Sequence, residues 1–333
     1  MEQVEERYIS LLTDFGFKRI FGSAPNKDLL ICFLNSLFNG KQVVKDVSYL
    51  NPEHVGDVYT DRRAIFDVYC EGENGEKFIV EMQNAYQTYF KDRSLFYSTF
   101  PIREQAPKGD DWDFKLNHVY TVALLNFSMN DDAFDKEKIR HHVQLCDTAT
   151  HKVFYDKLEF IYVEIAKFDK KLDELQTLYE KWLYALKNLY KLSQRPKELC
   201  DKVFDRLFEE AEIAKFSPLE MREYEASKKA YRDIKNSVDT AKRDGIAEGM
   251  EKGMKQGMEK GMKQGMEKGM KQGMEKGMKQ GMEKGMKQGM EKGLEQRSLE
   301  IARKMLAKGM DAASVMEITG LSAEQMLQLK AES

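Results

Sequence analysis

Two short segments that flank an Asn-Gly turn constrain the fold of this chain more than any other part of it. Residues 65–71 and 77–83 alternate in polarity and are rich in β-branched and aromatic side chains, which predicts a β-hairpin. A three-residue loop with Gly75 in the left-handed conformation is a favoured connection, and it pairs Gly72 with Glu76. One face of the hairpin then carries apolar pairs, namely Phe66 opposite Met82, Val68 opposite Val80, and Cys70 opposite Phe78.

The other face of the predicted hairpin carries two acids directly across from each other, Asp67 and Glu81, with Gln83 next along. Facing like charges destabilise a sheet by about 0.2–1 kcal/mol, so a chain that keeps them usually holds a cation between them. Paired carboxylates with few other protein ligands suit Mg²⁺, which keeps most of its waters and takes phosphate oxygens of a substrate. The pattern therefore predicts a metal site. The alternative is two exposed acids on a solvated face of the sheet.

Composition limits the class of protein. At 333 residues the chain is long enough for one domain of about 200 residues with appendages. No apolar run approaches the roughly 18 residues of a spanning helix, so no membrane partner is expected. The acidic N-terminus lacks the apolar stretch of a secretory signal. Four scattered cysteines without CxxC spacing favour reduced thiols in the cytoplasm. With a net charge of −3, any nucleic-acid contact must come from a local basic surface.

The order of predicted elements indicates an α/β fold with a mixed central sheet flanked by helices. Thr13 or Asp14 is expected to cap a first helix, and a second helix is expected from Asn26 to Leu37. The almost continuous apolar run over residues 119–127 predicts a strand covered on both faces. The other predicted elements are a strand over residues 43–50, a helix over 86–102, a strand over 158–165 and helices between 172 and 244.

Four residues with zinc-ligand chemistry, His141, His142, Cys146 and His151, occur close together. They lack a second ligand pair and a clear turn, so a polar loop is the preferred interpretation and a zinc site the lesser one. The chain has no GxGxxG, Walker or GxSxG motif, which leaves nucleotide-binding and serine-hydrolase functions without support.

An octad repeat, GMEKGMKQ, occurs five times without error from Gly249 to Gln288, and a degenerate sixth copy ends at Gln296. Each glycine costs a helix about 1 kcal/mol relative to alanine. Each Glu–Lys pair at four-residue spacing returns only about 0.3–0.5 kcal/mol. An isolated helix is therefore unfavourable. Two interpretations remain: a disordered linker, or a helix ordered by self-association, with the glycine stripe and Met side chains in the seam.

The last segment, residues 298–333, predicts three short helices. The first should end at Gly309, Asp311 should cap the second, and Ser322 with Gln325 forms a capping-box start for the third. The outline is that of a helix-turn-helix, but residues 311–333 carry four acids against one lysine. A protein-interaction or oligomerising tail is therefore preferred to phosphate contact. Together with the repeat, this tail predicts a homo-oligomer.

Several segments resemble the Rpn family of recombination-promoting nucleases and putative transposases, within the PD-(D/E)XK nuclease superfamily. The matching blocks are LLTDFGFKRIFG (11–22), LICFLNSLFNG (30–40), IFDVYCEGENGEKFIVEMQ (65–83), KDRSLFYSTF (91–100), YVEIAKF (162–168) and EKWLYALKN (180–188). The blocks spread over residues 8–240, and the glycine-rich repeat and the TGLS-containing tail are also similar to features of the family. The resemblance implies a restriction-endonuclease-like core over 1–170, a helical extension over 171–244 packed on it, the repeat over 245–296 and the tail over 297–333.

The resemblance also implies a Mg²⁺-dependent DNA endonuclease of little sequence specificity, with Mn²⁺ as a substitute, linked to recombination, mobile elements or defence. Asp67 and Glu81 would be the metal ligands, and Gln83 stands where most of the superfamily has Lys. An amide stabilises developing charge less than a Lys does. A catalytically weak or inactive fold that acts as a DNA-binding or assembly module is therefore the alternative. The further basic candidates, for DNA contact or for the missing positive charge, are Lys18, Arg19, Arg62, Arg63 and Arg93. Two acids are weaker candidates for an outer metal contact. The alternative for Glu164 is a surface acid, and the alternative for Asp14 is a helix cap.

Overall fold

The computed structural model describes residues 6–54, 64–106, 112–129 and 132–331. The chain divides into two compact units, Met1–Arg243 and Asp244–Ser333. The helices of the first unit are α1 (Asp14–Phe21), α2 (Lys27–Phe38), α3 (Phe90–Glu104), α4 (Leu178–Asn188) and α5 (Lys202–Glu210). Its strands are β1 (Val47–Tyr49), β2 (Glu53–His54), β3 (Ala64–Ile65), β4 (Val68–Gly72), β5 (Lys77–Gln83), β6 (Val119–Leu125), β7 (Arg140–Cys146) and β8 (Val153–Glu164). A long helix, α6 (Pro218–Ala307), is followed by α7 (Ala312–Thr319) and α8 (Ala323–Ala331).

The central sheet of the first unit is mixed, as the sequence predicts. Its strand order is β1-β4-β5-β6-β8-β7. The pairs β1/β4 and β4/β5 are antiparallel, β5/β6 and β6/β8 are parallel, and β7 is antiparallel to β8. Parallel neighbours need a crossover connection, and α3 lies in the connection between β5 and β6. The short strands β2 and β3 pair separately.

The predicted register of the β4–β5 hairpin is confirmed. Val68 faces Val80, and the next three pairs along the ladder follow the same register. Gly75 has a φ of 82°, in the left-handed region, and the N–H of Gly72 donates to the carbonyl of Glu76 over 2.8 Å. The turn and the apolar face specify the same register. Other registers are disfavoured, because a slip of one residue would move every apolar side chain to the opposite face of the sheet.

The hairpin ladder ends at Val68, so Asp67 and Phe66 lie outside it. The predictions that Phe66 faces Met82 and that Asp67 lies directly across from Glu81 in this ladder are therefore wrong. The N–H of Phe66 donates to the carbonyl of Pro52 over 2.9 Å, because the chain bends at Asp67 to join the separate β2–β3 pair. The Phe66 ring packs on the opposite face of the sheet, with Tyr69 and Ile79.

Helices cover both faces of the central sheet. On one face, α1, α2, α4 and α5 form the main core, in which the fully buried Trp182 ring lies 5.7 Å from that of Phe21 and 5.9 Å from that of Phe33. On the other face, Phe90 of α3 packs edge-on against Tyr162 of β8 at 5.9 Å. Strand β6 is buried along its whole length, as the apolar run predicts. This three-layer arrangement is the α/β fold that the sequence indicates.

The first helix begins as the sequence predicts. The Thr13 hydroxyl accepts a hydrogen bond from the N–H of Gly16 over 3.1 Å, so Thr13 is the cap of α1 and Asp14 is its first residue. The second helix also ends as predicted, because Asn39 takes the left-handed conformation with a φ of 50°. These local signals are strong because capping satisfies backbone groups that a helix end leaves unpaired.

Three of the four residues predicted to lie in a polar loop, His141, His142 and Cys146, belong to strand β7, so the prediction is wrong for them. His151 lies in the connection between β7 and β8. His141 faces Tyr162 and His142 faces Ile161 across the β7–β8 ladder, which places the two imidazoles on opposite faces of the sheet. An edge strand with a solvated side carries little apolar alternation, and the sequence pattern missed it for that reason. Within the described residues, no group of three or more His, Cys, Asp or Glu side chains is placed to hold a metal ion.

The second unit contains the repeat and the tail. Helix α6 continues through the repeat, where glycine recurs at every fourth residue from Gly245 to Gly293. A Cβ atom added at any of these glycines would meet open space, and the methionines of the repeat are 67–76 % exposed. Of the three short helices predicted for the tail, the first is instead the end of α6, which runs to Ala307. The other two are as predicted: Asp311 caps α7, and Ser322 and Gln325 bond reciprocally at the start of α8.

All four cysteines are free thiols. Over the residues that the structure describes, no helix combines the length and apolar character needed to span a lipid bilayer.

Candidate metal centre

The two acids predicted as metal ligands lie at the end of the hairpin that is remote from its turn. Glu81, in β5, is only 6 % exposed, and the side chain of Asp67 is 22 % exposed. The Oδ2 atom of Asp67 accepts a hydrogen bond from the N–H of Met82 over 2.9 Å, which holds this carboxylate against β5. The alternative of two exposed acids on a solvated face does not hold for this pair.

Burial and mutual repulsion dominate the electrostatics of the two carboxyl groups. The Oε1 atom of Glu81 is buried and has no hydrogen-bond partner within the described part of the chain. Burial, and then the neighbouring Asp67 carboxylate, raise the pKa of Glu81 to about 8. Burial also raises the pKa of Asp67, although the bond from Met82 and the charge of Lys18 act in the opposite direction. A buried acceptor without a donor costs about 1–3 kcal/mol, and a divalent cation would remove that cost.

Gln83 lies on the same face of β5 as Glu81, because side chains two residues apart in a strand point the same way. Its Nε2 atom donates to Oε2 of Glu81 over 3.4 Å. The structure therefore brings all three residues of the D…ExQ pattern together. The amide is neutral, so it contributes hydrogen bonds but no charge.

Two cations from other elements approach the carboxylates. The Nζ atom of Lys18, in α1, lies 3.8 Å from Oδ1 of Asp67. The Nη2 atom of Arg93, in α3, lies 3.9 Å from Oε2 of Glu81. Both distances exceed a hydrogen bond, so each cation offsets the negative charge of the pair only in part.

The side chain of Arg93 is positioned by neighbours that the sequence reasoning did not single out. Its Nη1 atom donates to Oε1 of Gln87 over 2.7 Å, and its guanidinium lies 5.7 Å from the ring centre of Tyr97. The buried Nε and Nη2 atoms of Arg93 have no hydrogen-bond partner among the described residues. The four-residue spacing of Arg93 and Tyr97 on one helix is a signal in the sequence for their contact. Gln87 precedes the helix, and no sequence periodicity connects it to Arg93.

The two weaker acidic candidates lie in different surroundings. Glu164 is fully buried and accepts hydrogen bonds from three donors, so its interpretation as a surface acid is wrong. Burial at the end of β8 is tolerated because every donor is close: the N–H of Met129 at 2.9 Å, Nε2 of His141 at 2.8 Å and Nζ of Lys167 at 2.9 Å. Asp14 is exposed and pairs with Lys18 at 2.7 Å, which connects it to Asp67 through one cation.

The remaining basic candidates are not brought to the centre. Arg62 and Arg63 lie outside the described residues. Arg19 is engaged elsewhere: its Nη1 atom lies 2.5 Å from a carboxylate oxygen of Glu220, and its Nε atom donates to the carbonyl of Glu210. Of the basic candidates that the structure describes, Lys18 and Arg93 are the ones placed beside the carboxylates.

Comparison with family models gives two matches. Residues 11–241 match the PD-(D/E)XK nuclease family transposase, and residues 295–331 match the C-terminal HTH domain of the Rpn/YhgA-like nuclease family. No curated protein and no solved structure matches the chain. The second match identifies the tail as a helix-turn-helix domain, a class that suggests DNA binding, so the preference for a purely protein-binding tail finds no support. The first match covers more than half of the chain and contains the whole candidate centre. The resemblance to the Rpn family is thus confirmed, and the chain belongs to the PD-(D/E)XK nuclease family transposases.

Proposed function

We propose that this nuclease-family protein is a Mg²⁺-dependent DNA endonuclease of little sequence specificity, acting in DNA recombination, element mobility or defence. One observation carries the proposal: two adjacent, largely buried carboxylates, of which one oxygen, Oε1 of Glu81, has no partner among the described residues. Such a pair is unfavourable in the metal-free protein and becomes favourable when a divalent cation binds.

Asp67 and Glu81 would hold the ion. A site of one or two carboxylates, completed by waters and phosphate oxygens, is typical of Mg²⁺, and Mn²⁺ accepts the same oxygen ligands. A bound ion of this kind lowers the pKa of a coordinated water and polarises the scissile phosphate.

The chain's own side chains orient the reactants and stabilise charge. The amide of Gln83 bonds Glu81 and is placed to align an attacking water by a further hydrogen bond. The unpaired N–H groups of Arg93 supply the positive charge that Gln83 lacks, at the stage when charge develops on the phosphate. Lys18 offsets part of the charge of Asp67, which opposes the rise that burial causes in the pKa of this carboxyl.

Each region of the chain has a role in this proposed function. Catalysis would reside in residues 1–170, with 171–244 as a helical extension packed on this core. Residues 297–333 would add DNA affinity as a helix-turn-helix, and the repeat over 245–296 with this tail would join copies into a homo-oligomer in the cytoplasm. The neutral Gln83 favours one alternative, a weakly active fold that mainly binds DNA.

Nicking of supercoiled plasmid DNA tests the proposal. The full-length protein should nick with Mg²⁺ or Mn²⁺ and not in EDTA, and both Asp67→Ala and Glu81→Gln should abolish nicking. Glu73→Gln, an exposed acid in the hairpin turn, is the matched control and should nick normally. Calorimetric titration with Mn²⁺ gives a second readout that does not depend on turnover. Equal nicking by the native protein and Asp67→Ala, or equal Mn²⁺ uptake by the two, would remove the nuclease proposal.

A further inference from the structure

Helix α6 carries a basic stripe, Lys228, Arg232 and Lys235. Spacings of four and three residues place these side chains on one side of the helix. Tyr231 lies at the edge of the same side, three residues after Lys228 and four before Lys235. The stripe belongs to the first unit of the chain, together with the central sheet.

Hydrogen bonds connect this side of α6 to the end of β5. The carbonyl of Gln83 accepts from the N–H of Asn126 over 2.8 Å, and Nδ2 of Asn126 lies 3.2 Å from the hydroxyl of Tyr231. Asn84, directly after Gln83, bonds Asn126 and also donates to the carbonyl of Leu12 over 2.8 Å. The same hydrogen-bonded group therefore fixes the end of β5, the start of α1 and helix α6.

A cleft of about 940 Å³ lies beside this group. Tyr231, Arg232 and Lys235 form part of one wall, and Ser10 and Thr13 form part of the other. Thr13 caps the helix that carries Lys18, the cation next to Asp67. The cleft thus borders elements that also build the candidate metal centre.

The stripe is only partly neutralised. Lys228 pairs with both Glu6 and Glu225, at 3.1 Å each. Arg232 and Lys235 are exposed, and neither makes an ion pair with any residue that the structure describes. Two adjacent cations on the wall of an open cleft attract a ligand with regularly spaced negative charge, which is the property of a nucleic-acid backbone.

We infer that Arg232 and Lys235 bind the phosphate backbone of the DNA that enters the metal centre. The inference rests on the proposed function, since it assigns a surface to the substrate of that same site. Contacts of this kind position a duplex without reading its sequence. They would hold the strand along the cleft that Thr13 and Tyr231 line, and they supply the local positive charge that DNA binding requires in a chain of negative net charge.

Salt-dependent DNA binding tests this inference. The full-length protein is titrated onto a fluorescein-labelled duplex of random sequence, in EDTA so that no cleavage occurs, at several NaCl concentrations. Affinity falls as salt rises, and each lost phosphate contact makes the slope of log affinity against log salt less negative by about 0.9. The R232Q/K235Q variant should therefore have a slope that is less steep by about 2. The matched control is R222Q/K229Q, which removes one Arg and one Lys, also exposed and without ion pairs among the described residues, from another side of the same helix.

The control double variant should keep the native slope, and the charge-preserving swap R232K/K235R should keep most of it. Equal slopes for R232Q/K235Q and R222Q/K229Q, or absence of DNA binding by the native protein, would overturn the inference. Because binding is measured without metal, its result is independent of nicking. A native protein that never nicks plasmid, yet shows the expected slope difference, would disprove the nuclease activity and leave the DNA surface in place.

Discussion

The carboxylate of Asp67 accepts a hydrogen bond from the backbone N–H of Met82 over 2.9 Å. Strand β4 no longer pairs with β5 at this point. The side chain of Asp67 therefore accepts from the N–H of Met82, which would have bonded to the backbone of β4 if the ladder had continued. One carboxylate oxygen is thus fixed by the strand that carries Glu81, and the other lies near Lys18. The bend that ends the ladder positions one half of the candidate centre.

Glu81 makes the stability of the metal-free protein depend on pH. Its pKa is raised to about 8 from 4.5, so the folded protein keeps this proton in a range where the unfolded chain has lost it. The stabilising contribution of neutral Glu81 is full below pH 4.5 and disappears as the pH rises to about 8. Across this window, the free energy of unfolding of Glu81→Gln should gain roughly 2–4 kcal/mol relative to the native protein.

Urea unfolding in EDTA at a series of pH values measures this difference. Millimolar Mg²⁺ should restore the native protein at the upper end of the range, because the ion binds the charged pair in the folded state. Stability curves of the two proteins that run parallel from pH 4.5 to 8 would contradict the prediction.

Arg93 should act on the rate of cleavage more than on DNA binding. Its buried Nε and Nη2 donors lack partners among the described residues, so they are available where negative charge develops. Arg93→Gln should lower the single-turnover rate by about 10²–10³-fold and change DNA affinity little. Arg93→Lys, which keeps the charge but loses the bond geometry to Gln87, should retain an intermediate rate. A native rate for Arg93→Gln in a folded protein would show that the guanidinium has no catalytic role.

Gln83→Lys should accelerate cleavage. The new ammonium would lie beside Glu81, where it lowers the pKa of that carboxyl and adds the charge that the amide lacks. We expect single-turnover rates to rise about tenfold or more, with a larger gain at low pH. Gln83→Met, similar in size but without hydrogen bonds, serves as the control and should be slower than the native protein. A lysine variant no faster than the native protein would contradict this prediction.

Alanine at the repeat glycines should stabilise the long helix. A Cβ at Gly265 or Gly269 meets open space, so each substitution should add about 1 kcal/mol to helix stability and raise the melting temperature measured by circular dichroism. Gly320→Ala is the control and should destabilise the tail, because Gly320 has a φ of 69°. A rise in helix content at low temperature, rather than in melting temperature, would show that the repeat is only partly helical in solution.

Features set by neighbours in the sequence were predictable, and features set by distant packing were not. Apolar alternation and a left-handed glycine determined the hairpin register, and Thr13 and Asn39 marked helix ends. The bend at Asp67 depends on pairing between β2 and β3, which carry little pattern. The approach of Arg93 to Glu81 depends on how α3 packs across the sheet. Both residues were candidates from the sequence, but only the fold gave the distance between them.

The four-residue spacing of glycine in α6 limits how another helix or chain segment can pack along it. An α-helix turns about 100° per residue, so every fourth residue advances by one full turn and about 40° more. The line of glycines therefore circles the helix in a right-handed sense and returns to its first side after about nine glycines. A straight rod laid alongside would touch only three or four of them. Only a neighbour that winds around the helix in the same right-handed sense stays in contact with the whole line.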